Sequence, residues 1–215
     1  MLYGFSNNLQ YQEHFKRYNF ARRFVAGKVI LDVGCGPHPG PEFFAEKAKR
    51  VVAIDISPEA IEYAKSHFSK ENLRYLVMDA TELKFPDESF EVAISLEVIE
   101  HIKDYRKYLS EIKRVIKPEG IYVFSTPNKK MTMNPNPAHI REFTLGELKE
   151  LLEDYFKEID LYGQARGKGI WGNTKEIILF LRRYDRLRLR KLFPGKFKEN
   201  AYRGIGNDYL GEGHA

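Results

Sequence analysis

Val29-Ile30-Leu31-Asp32-Val33-Gly34-Cys35-Gly36 is the stretch on which the fold turns. A short apolar run that ends in glycines reads as a buried strand, and the stretch after it as a helix. Glycines in the intervening turn let the main chain approach a ligand closely, and the N-terminus of the next helix favours an anionic group. Gly-x-Gly alone is a weak signal, but two acids reinforce it. Asp55 lies twenty-one residues after Gly34, at the end of a second apolar run. An acidic side chain there accepts both hydroxyls of a ribose, the plainer alternative being an aspartate that caps the next helix. Asp79 closes a third run in Val77-Met78-Asp79-Ala80, where it takes an adenine amino group or merely holds a turn. Three strand ends thus converge on one adenosine-like ligand at the carboxyl edge of a sheet.

Working outward, short apolar runs alternate with amphipathic stretches, the pattern of a parallel sheet covered by helices. Helices are expected over 8–25, around 43–48, over 58–68 and 104–116, and from 145 to about 155. Ser57 followed by Pro58 marks one helix start, and Thr144 with Glu147 forms a capping box at another. Strands are expected at 28–32, 51–55, 73–78, 90–95, 121–125, 158–163 and 176–181. That makes one α/β domain over residues 1–181, with a basic extension over 182–215.

A chain of 215 residues buries roughly 70% of its unfolded surface and needs no covalent staples. Cys35 is the single cysteine, which excludes an intramolecular disulfide framework and suits a reducing compartment. No apolar run approaches the roughly 20 residues of a membrane span, and Met1-Leu2-Tyr3-Gly4 lacks the features of a secretion signal. A cytoplasmic protein is expected. The charged fraction of 30% with only three glutamines leans towards a thermophile. The net charge of +5 is unevenly placed: residues 1–181 balance at 26 basic and 26 acidic, whereas 182–203 hold 9 basic and 2 acidic. That segment is either a solvated helix closing the domain or a contact for RNA phosphates, an anionic lipid surface or a charged glycan carrier.

Through Leu31-Asp32-Val33-Gly34-Cys35-Gly36, Val52-Ala53-Ile54-Asp55-Ile56-Ser57, Met78-Asp79-Ala80, Ser89-Phe90-Glu91-Val92 and Arg114-Val115-Ile116-Lys117-Pro118-Glu119-Gly120, the chain resembles the class I S-adenosylmethionine-dependent methyltransferases. The matches keep the family's order over about residues 10–165. The resemblance implies a Rossmann-like sheet of seven strands, ordered 3-2-1-4-5-7-6 with the seventh antiparallel and helices on both faces. It implies that Gly34 and Gly36 flank the methionine part of S-adenosylmethionine, that Asp55 holds the ribose and that Asp79 lies near the adenine. Leu96 would touch the cofactor through its main chain, and Arg17 is the candidate for the methionine carboxylate. Asp32, Cys35, Ile56 and Ala80 complete the expected cofactor set. One departure is Pro37-His38-Pro39-Gly40, which places a third glycine two residues later than many members do. A dehydrogenase, the competing owner of such a turn, wants G-x-G-x-x-G, and position 39 is proline.

For the acceptor, Ser95-Leu96-Glu97-Val98-Ile99-Glu100-His101 follows the fourth strand. Read as helical, it sets Glu97, Glu100 and His101 on one face of one turn, where two carboxylates and an imidazole suit a divalent cation. Farther on comes His139-Ile140-Arg141-Glu142-Phe143-Thr144. The combination resembles the ubiquinone-pathway catechol O-methyltransferases and the small-RNA 3′-terminal 2′-O-methyltransferases, both metal-dependent. It implies Glu97, Glu100, His101 and His139 as ligands for Mg or Mn. The same pattern, with Arg17-Tyr18-Asn19-Phe20-Ala21, also looks like methyltransferases of glycan-synthesis clusters, in which His101 or His139 would be a plain general base. The expected function is O-methylation of a small-molecule, glycan or lipid-linked acceptor. The alternatives are a metal-dependent RNA ribose methyltransferase and a non-catalytic protein that binds S-adenosylmethionine. The acceptor pocket is expected from about 127–143 and 164–175.

Overall fold

The structure, a computed structural model, describes residues 9–132, 136–165, 174–182 and 200–201. Fourteen elements run in the order α1 (Leu9–Arg22), β1 (Val29–Val33), α2 (Gly40–Ala45), β2 (Arg50–Asp55), α3 (Pro58–His67), β3 (Leu73–Val77), β4 (Phe90–Leu96), a 3₁₀ turn (Ile99–His101), α4 (Tyr105–Val115), β5 (Ile116–Pro127), α5 (Leu145–Glu153), β6 (Glu158–Ala165), β7 (Thr174–Arg182) and β8 (Asn200–Ala201).

They form one sheet of order β3-β2-β1-β4-β5-β7-β6-β8. β3, β2, β1, β4 and β5 pair in parallel, and β7 is antiparallel to both β5 and β6. The two-residue β8 pairs in parallel with β6, so the strands described here number eight where seven are expected from the sequence. The rest of the basic segment, 183–199, and the end of the chain, 202–215, lie outside the described residues.

Period-two alternation assigns each strand residue to a layer. Leu31, Val33, Ala93, Tyr122 and Phe124 pack with Leu109 and Ile112 of α4 and Leu148 and Leu152 of α5. Their neighbours Ile30, Val92, Ile94 and Val123 pack on the opposite face with Phe20 of α1 and Phe44 of α2. α3 covers the β2–β3 edge through Ile61 and Ala64, against Ala53 and Tyr75. One polar group is enclosed in the α4 layer. Tyr108 donates to Ser95 Oγ at 2.7 Å and lies 2.6 Å from the Tyr122 hydroxyl, so these buried hydroxyls satisfy one another.

Several boundaries differ from the sequence-based expectation. α1 stops at Arg22, three residues early. α2 begins at Gly40, because Pro41 favours a first helical turn, and ends at Ala45. β5 starts at Ile116, five residues early, and pairs past the Pro118-Glu119-Gly120 corner by a register shift. The two caps form as expected. Ser57 accepts from the Ala60 amide, and Thr144 and Glu147 make a reciprocal capping box.

Candidate functional site

The carboxyl ends of β1, β2 and β3 open onto a cleft of about 540 Å³, of the size that takes a nucleoside-like ligand. The turn after β1 is built on left-handed glycines, Gly34 at φ +68° and Gly36 at φ +55°. A β-carbon on Gly34 would also come within 2.5 Å of Val98 Cγ2, so this position excludes a side chain twice over. The amides of Gly34 and Cys35 donate to the Ile54 carbonyl, tying the turn to β2. Asp55 then clamps both neighbouring loops: Oδ2 accepts from the Gly36 amide and Oδ1 from the Ser57 amide, each at 2.9 Å. Each carboxylate oxygen keeps a second lone pair for a ligand hydroxyl.

Gly34, Asp55, Ile56, Asp79 and Ala80 line the cleft. Asp79 holds a turn at the same time, its Oδ1 accepting from the amide and hydroxyl of Thr81. Ile56 is 68% exposed, an apolar side chain laid open next to Asp55. Asp32, Cys35 and Leu96 are buried behind the wall. The Cys35 thiol is pushed well up by its burial and by the charges of Asp32 and Asp55, so it remains a thiol. Gly40 packs into the Tyr18 ring, at a spot where a β-carbon would overlap it, and so serves helix packing.

S-adenosylmethionine fits this chemistry on one observation in particular. Asp32 is buried and its Oδ2 has no hydrogen-bond partner among the described residues. Burial, with Asp55 close by, pushes its carboxyl up to about 8. A buried carboxylate oxygen without a partner is costly, and a ligand ammonium beside it would restore the charged form.

Glu97 and His101 line the same cleft, together with Ile140. The segment that carries them is not the helical turn expected from spacing. The Glu97 amide donates to the Ser125 carbonyl at 3.1 Å, prolonging the β4–β5 ladder, and Glu97 then enters the left-handed region at φ +59°. Only Ile99–His101 coil, as 3₁₀. Glu97 is therefore held apart, its Oε1 accepting from the Ser125 hydroxyl at 2.7 Å.

Glu100, His101 and His139 do come together, each offering one ligand atom within 4.8 Å of the others. The two imidazoles meet edge to face, 4.8 Å between centroids. Glu100 is fully buried. Its Oε2 accepts from Thr126 Oγ1 at 3.1 Å, while Oε1 has no partner among the described residues. Burial and the charge of Glu97 push its carboxyl up to about 8, against the opposing charge of Arg17. Arg17, buried in α1, thus acts on Glu100 and does not line the cleft. Three of the four expected ligands are assembled, and the fourth stands beside them.

Sequence reasoning gave no role to Asn136, Ala138 or Glu142, which hold the two histidines. His139 Nδ1 lies 2.7 Å from Glu142 Oε1, and His101 Nδ1 lies 3.0 Å from the Ala138 carbonyl oxygen. The i,i+3 spacing of His139 and Glu142 was the available signal. The amides of Ile140 and Arg141 both donate to the Glu100 carbonyl, so this segment is docked on the 3₁₀ turn by main-chain bonds.

Residues 31–124 match the methyltransferase-domain family model. A probable S-adenosylmethionine-dependent methyltransferase of Mycolicibacterium smegmatis is 32% identical over 170 residues, 76% of this chain and 65% of that protein. The mitochondrial ubiquinone biosynthesis O-methyltransferase of Schizosaccharomyces pombe is 35% identical over 131 residues, 59% of this chain and 46% of that one. The chain thus spans less than two thirds of the length of either relative. Among solved structures, a chain of the complex between the Haloferax volcanii Trm112 methyltransferase activator and a methyltransferase superposes with a TM-score of 0.69 at 17% identity, covering 81% of this chain and 92% of that one. By its sheet order, its glycine turn with paired strand-end acids and these likenesses, the chain belongs to the class I S-adenosylmethionine-dependent methyltransferases.

Proposed function

We propose that this protein transfers the methyl group of S-adenosylmethionine to a hydroxyl of a small-molecule, glycan or lipid-linked acceptor. One observation carries the reading: Glu100, His101 and His139 gather within 4.8 Å, and His101 lines the cleft that also holds Gly34, Asp55 and Asp79. The ubiquinone-pathway relative is an O-methyltransferase by name, which agrees with an oxygen acceptor. Among the described residues no helix is long and apolar enough to cross a membrane, and the single cysteine supports a cytoplasmic setting.

S-adenosylmethionine supplies a methyl carbon already activated by sulfonium. What remains for the chain is alignment and a deprotonated oxygen. Gly34, Asp55 and Asp79 would fix the donor from one side of the cleft. On the other, an unpartnered buried carboxylate oxygen and two imidazoles make a donor set suited to a divalent cation, and Glu100, His101 and His139 would hold it. Such a cation would lower the pKa of an acceptor hydroxyl. Glu97, fixed by Ser125 at the edge of this group, orients the acceptor.

Two measurements test the reading. With methyl-labelled S-adenosylmethionine and a panel of catechols, vicinal diols and lipid-linked sugars, label is expected on oxygen, and transfer to nitrogen or sulfur alone would overturn the acceptor class. Calorimetric titration of Mn²⁺ into protein saturated with S-adenosylhomocysteine is expected to show one-to-one binding that Glu100→Gln abolishes. Absence of heat in the unaltered protein would leave the histidines as plain bases.

A further inference from the structure

His139 sits in a chain of contacts that determines where its proton lies. The Ala138 amide donates to Asn136 Oδ1 at 3.0 Å, which orients the Asn136 side chain, since the flipped amide would set two donors face to face. Asn136 Nδ2 therefore points its hydrogens at His139 Nε2, 3.3 Å away. A hydrogen on Nε2 would oppose that donor, so Nε2 bears the lone pair. The ring proton is on Nδ1 and donates to Glu142 Oε1 at 2.7 Å. Both side chains are largely enclosed, 14% exposed for His139 and 9% for Glu142, so water competes little for the pair. His101 follows the same rule by a different partner. Its Nδ1 lies 3.0 Å from the Ala138 carbonyl oxygen, which only accepts, so Nδ1 carries the proton there too.

We propose that Glu142 is a positioning residue that, with Asn136, presets His139 as the Nδ1–H tautomer with its lone pair on Nε2, while the Ala138 carbonyl presets His101 in the same way. In a free neutral histidine the proton prefers Nε2, so the segment 136–142 imposes the less common form on both rings. Which nitrogen is available is set by the bond the other one makes. The consequence for the site is that two Nε2 lone pairs are ready for a cation or an acceptor proton before either arrives. The contact of Nε2 with Asn136 is the longer of the two bonds to His139, and it is the one that yields when a ligand takes the lone pair. This inference rests on the reading of Glu100, His101 and His139 as the acceptor-side group, but its first readout does not depend on any ligand.

The experiment is ¹⁵N spectroscopy of histidine-labelled, full-length protein at about pH 8.5, two units above the ordinary histidine value. The signals are assigned from His101→Gln and His139→Gln. Both rings are expected to show a protonated Nδ1 and a bare Nε2. In the double variant Asn136→Ala, Glu142→Ala, which removes both constraints, the His139 signal should move to the Nε2–H pattern while that of His101 stays, which also reports that the fold is intact. Glu142→Gln, which can still accept from Nδ1, should keep the native pattern. A parallel Mn²⁺ titration is expected to weaken about 10–100-fold in Glu142→Ala and to recover largely in Glu142→Gln. A native His139 with its proton on Nε2, or a His139 signal indifferent to the double substitution Asn136→Ala, Glu142→Ala, overturns the proposal whatever Mn²⁺ does. The expected tautomers without any Mn²⁺ binding uphold the positioning role and remove only the cation from the proposed function.

Discussion

The two sides of the cleft are built by different means. On the side proposed to hold the donor, Gly34, Asp55 and Asp79 stand at the ends of adjacent parallel strands, and the geometry comes from β-sheet register and main-chain bonds. On the side proposed for the acceptor, Glu100 and His101 sit in a 3₁₀ turn and His139 arrives from a segment nearly forty residues later, docked by amides on the Glu100 carbonyl. The donor side is rigid because the sheet is. The acceptor side depends on a few hydrogen bonds between loops, which is where specificity can change while the fold is kept.

If this division is real, the two sides should fail separately. The largest effect is expected from the double substitution His101→Ala, His139→Ala. Methyl transfer should fall by about 10²–10⁴-fold, the usual contribution of positioned acid–base groups, with affinity for S-adenosylhomocysteine unchanged by calorimetry. A parallel loss of affinity would break the comparison. Asp55→Ala should do the reverse. It removes charge-assisted bonds to two amides and the acid proposed for the ribose, so affinity should drop about 10–100-fold while the spectrum of His101 and His139 stays put.

The smallest effect concerns Asp32 and is a matter of pH. Its carboxyl stands at about 8 when folded and near 3.9 in an unfolded chain. Between these values the folded state keeps a proton that the unfolded state has lost, so stability falls as pH rises from about 4 to 8. Asp32→Asn removes that slope. The variant should melt like the original protein near pH 4 and several degrees higher near pH 8, each kcal/mol being worth about 2–4 °C at this size. Saturating S-adenosylhomocysteine should narrow the gap if its ammonium reaches Asp32, and thermal melts across the pH range read both.

The same contrast explains what was legible beforehand. Glycines and acids at strand ends recur at spacings that the parallel sheet dictates, so Gly34, Asp55 and Asp79 could be read from a line of text. Glu97 could not. Its i,i+3 and i,i+4 relations to Glu100 and His101 match a helix, but the pairing of its amide with Ser125, a partner twenty-eight residues away, carries the ladder one residue farther and turns the chain left-handed. Arg17 was read as the candidate for the methionine carboxylate, and nothing local shows that it is buried with its charge acting on Glu100. Glu142 and Asn136 belonged to a recognisable stretch, yet their work is visible only once His139 is seen between them.

The two sides nevertheless meet over Gly34, where Val98 fills the space a β-carbon would need. That contact has an evolutionary reading. Enlarging residue 34 would meet Val98 as well as the left-handed backbone, and residue 98 leads into the turn that carries Glu100 and His101. Residue 34 is therefore held as glycine on two grounds at once, so descendants that switch acceptors are expected to keep it and to explore the segment beyond 136 instead.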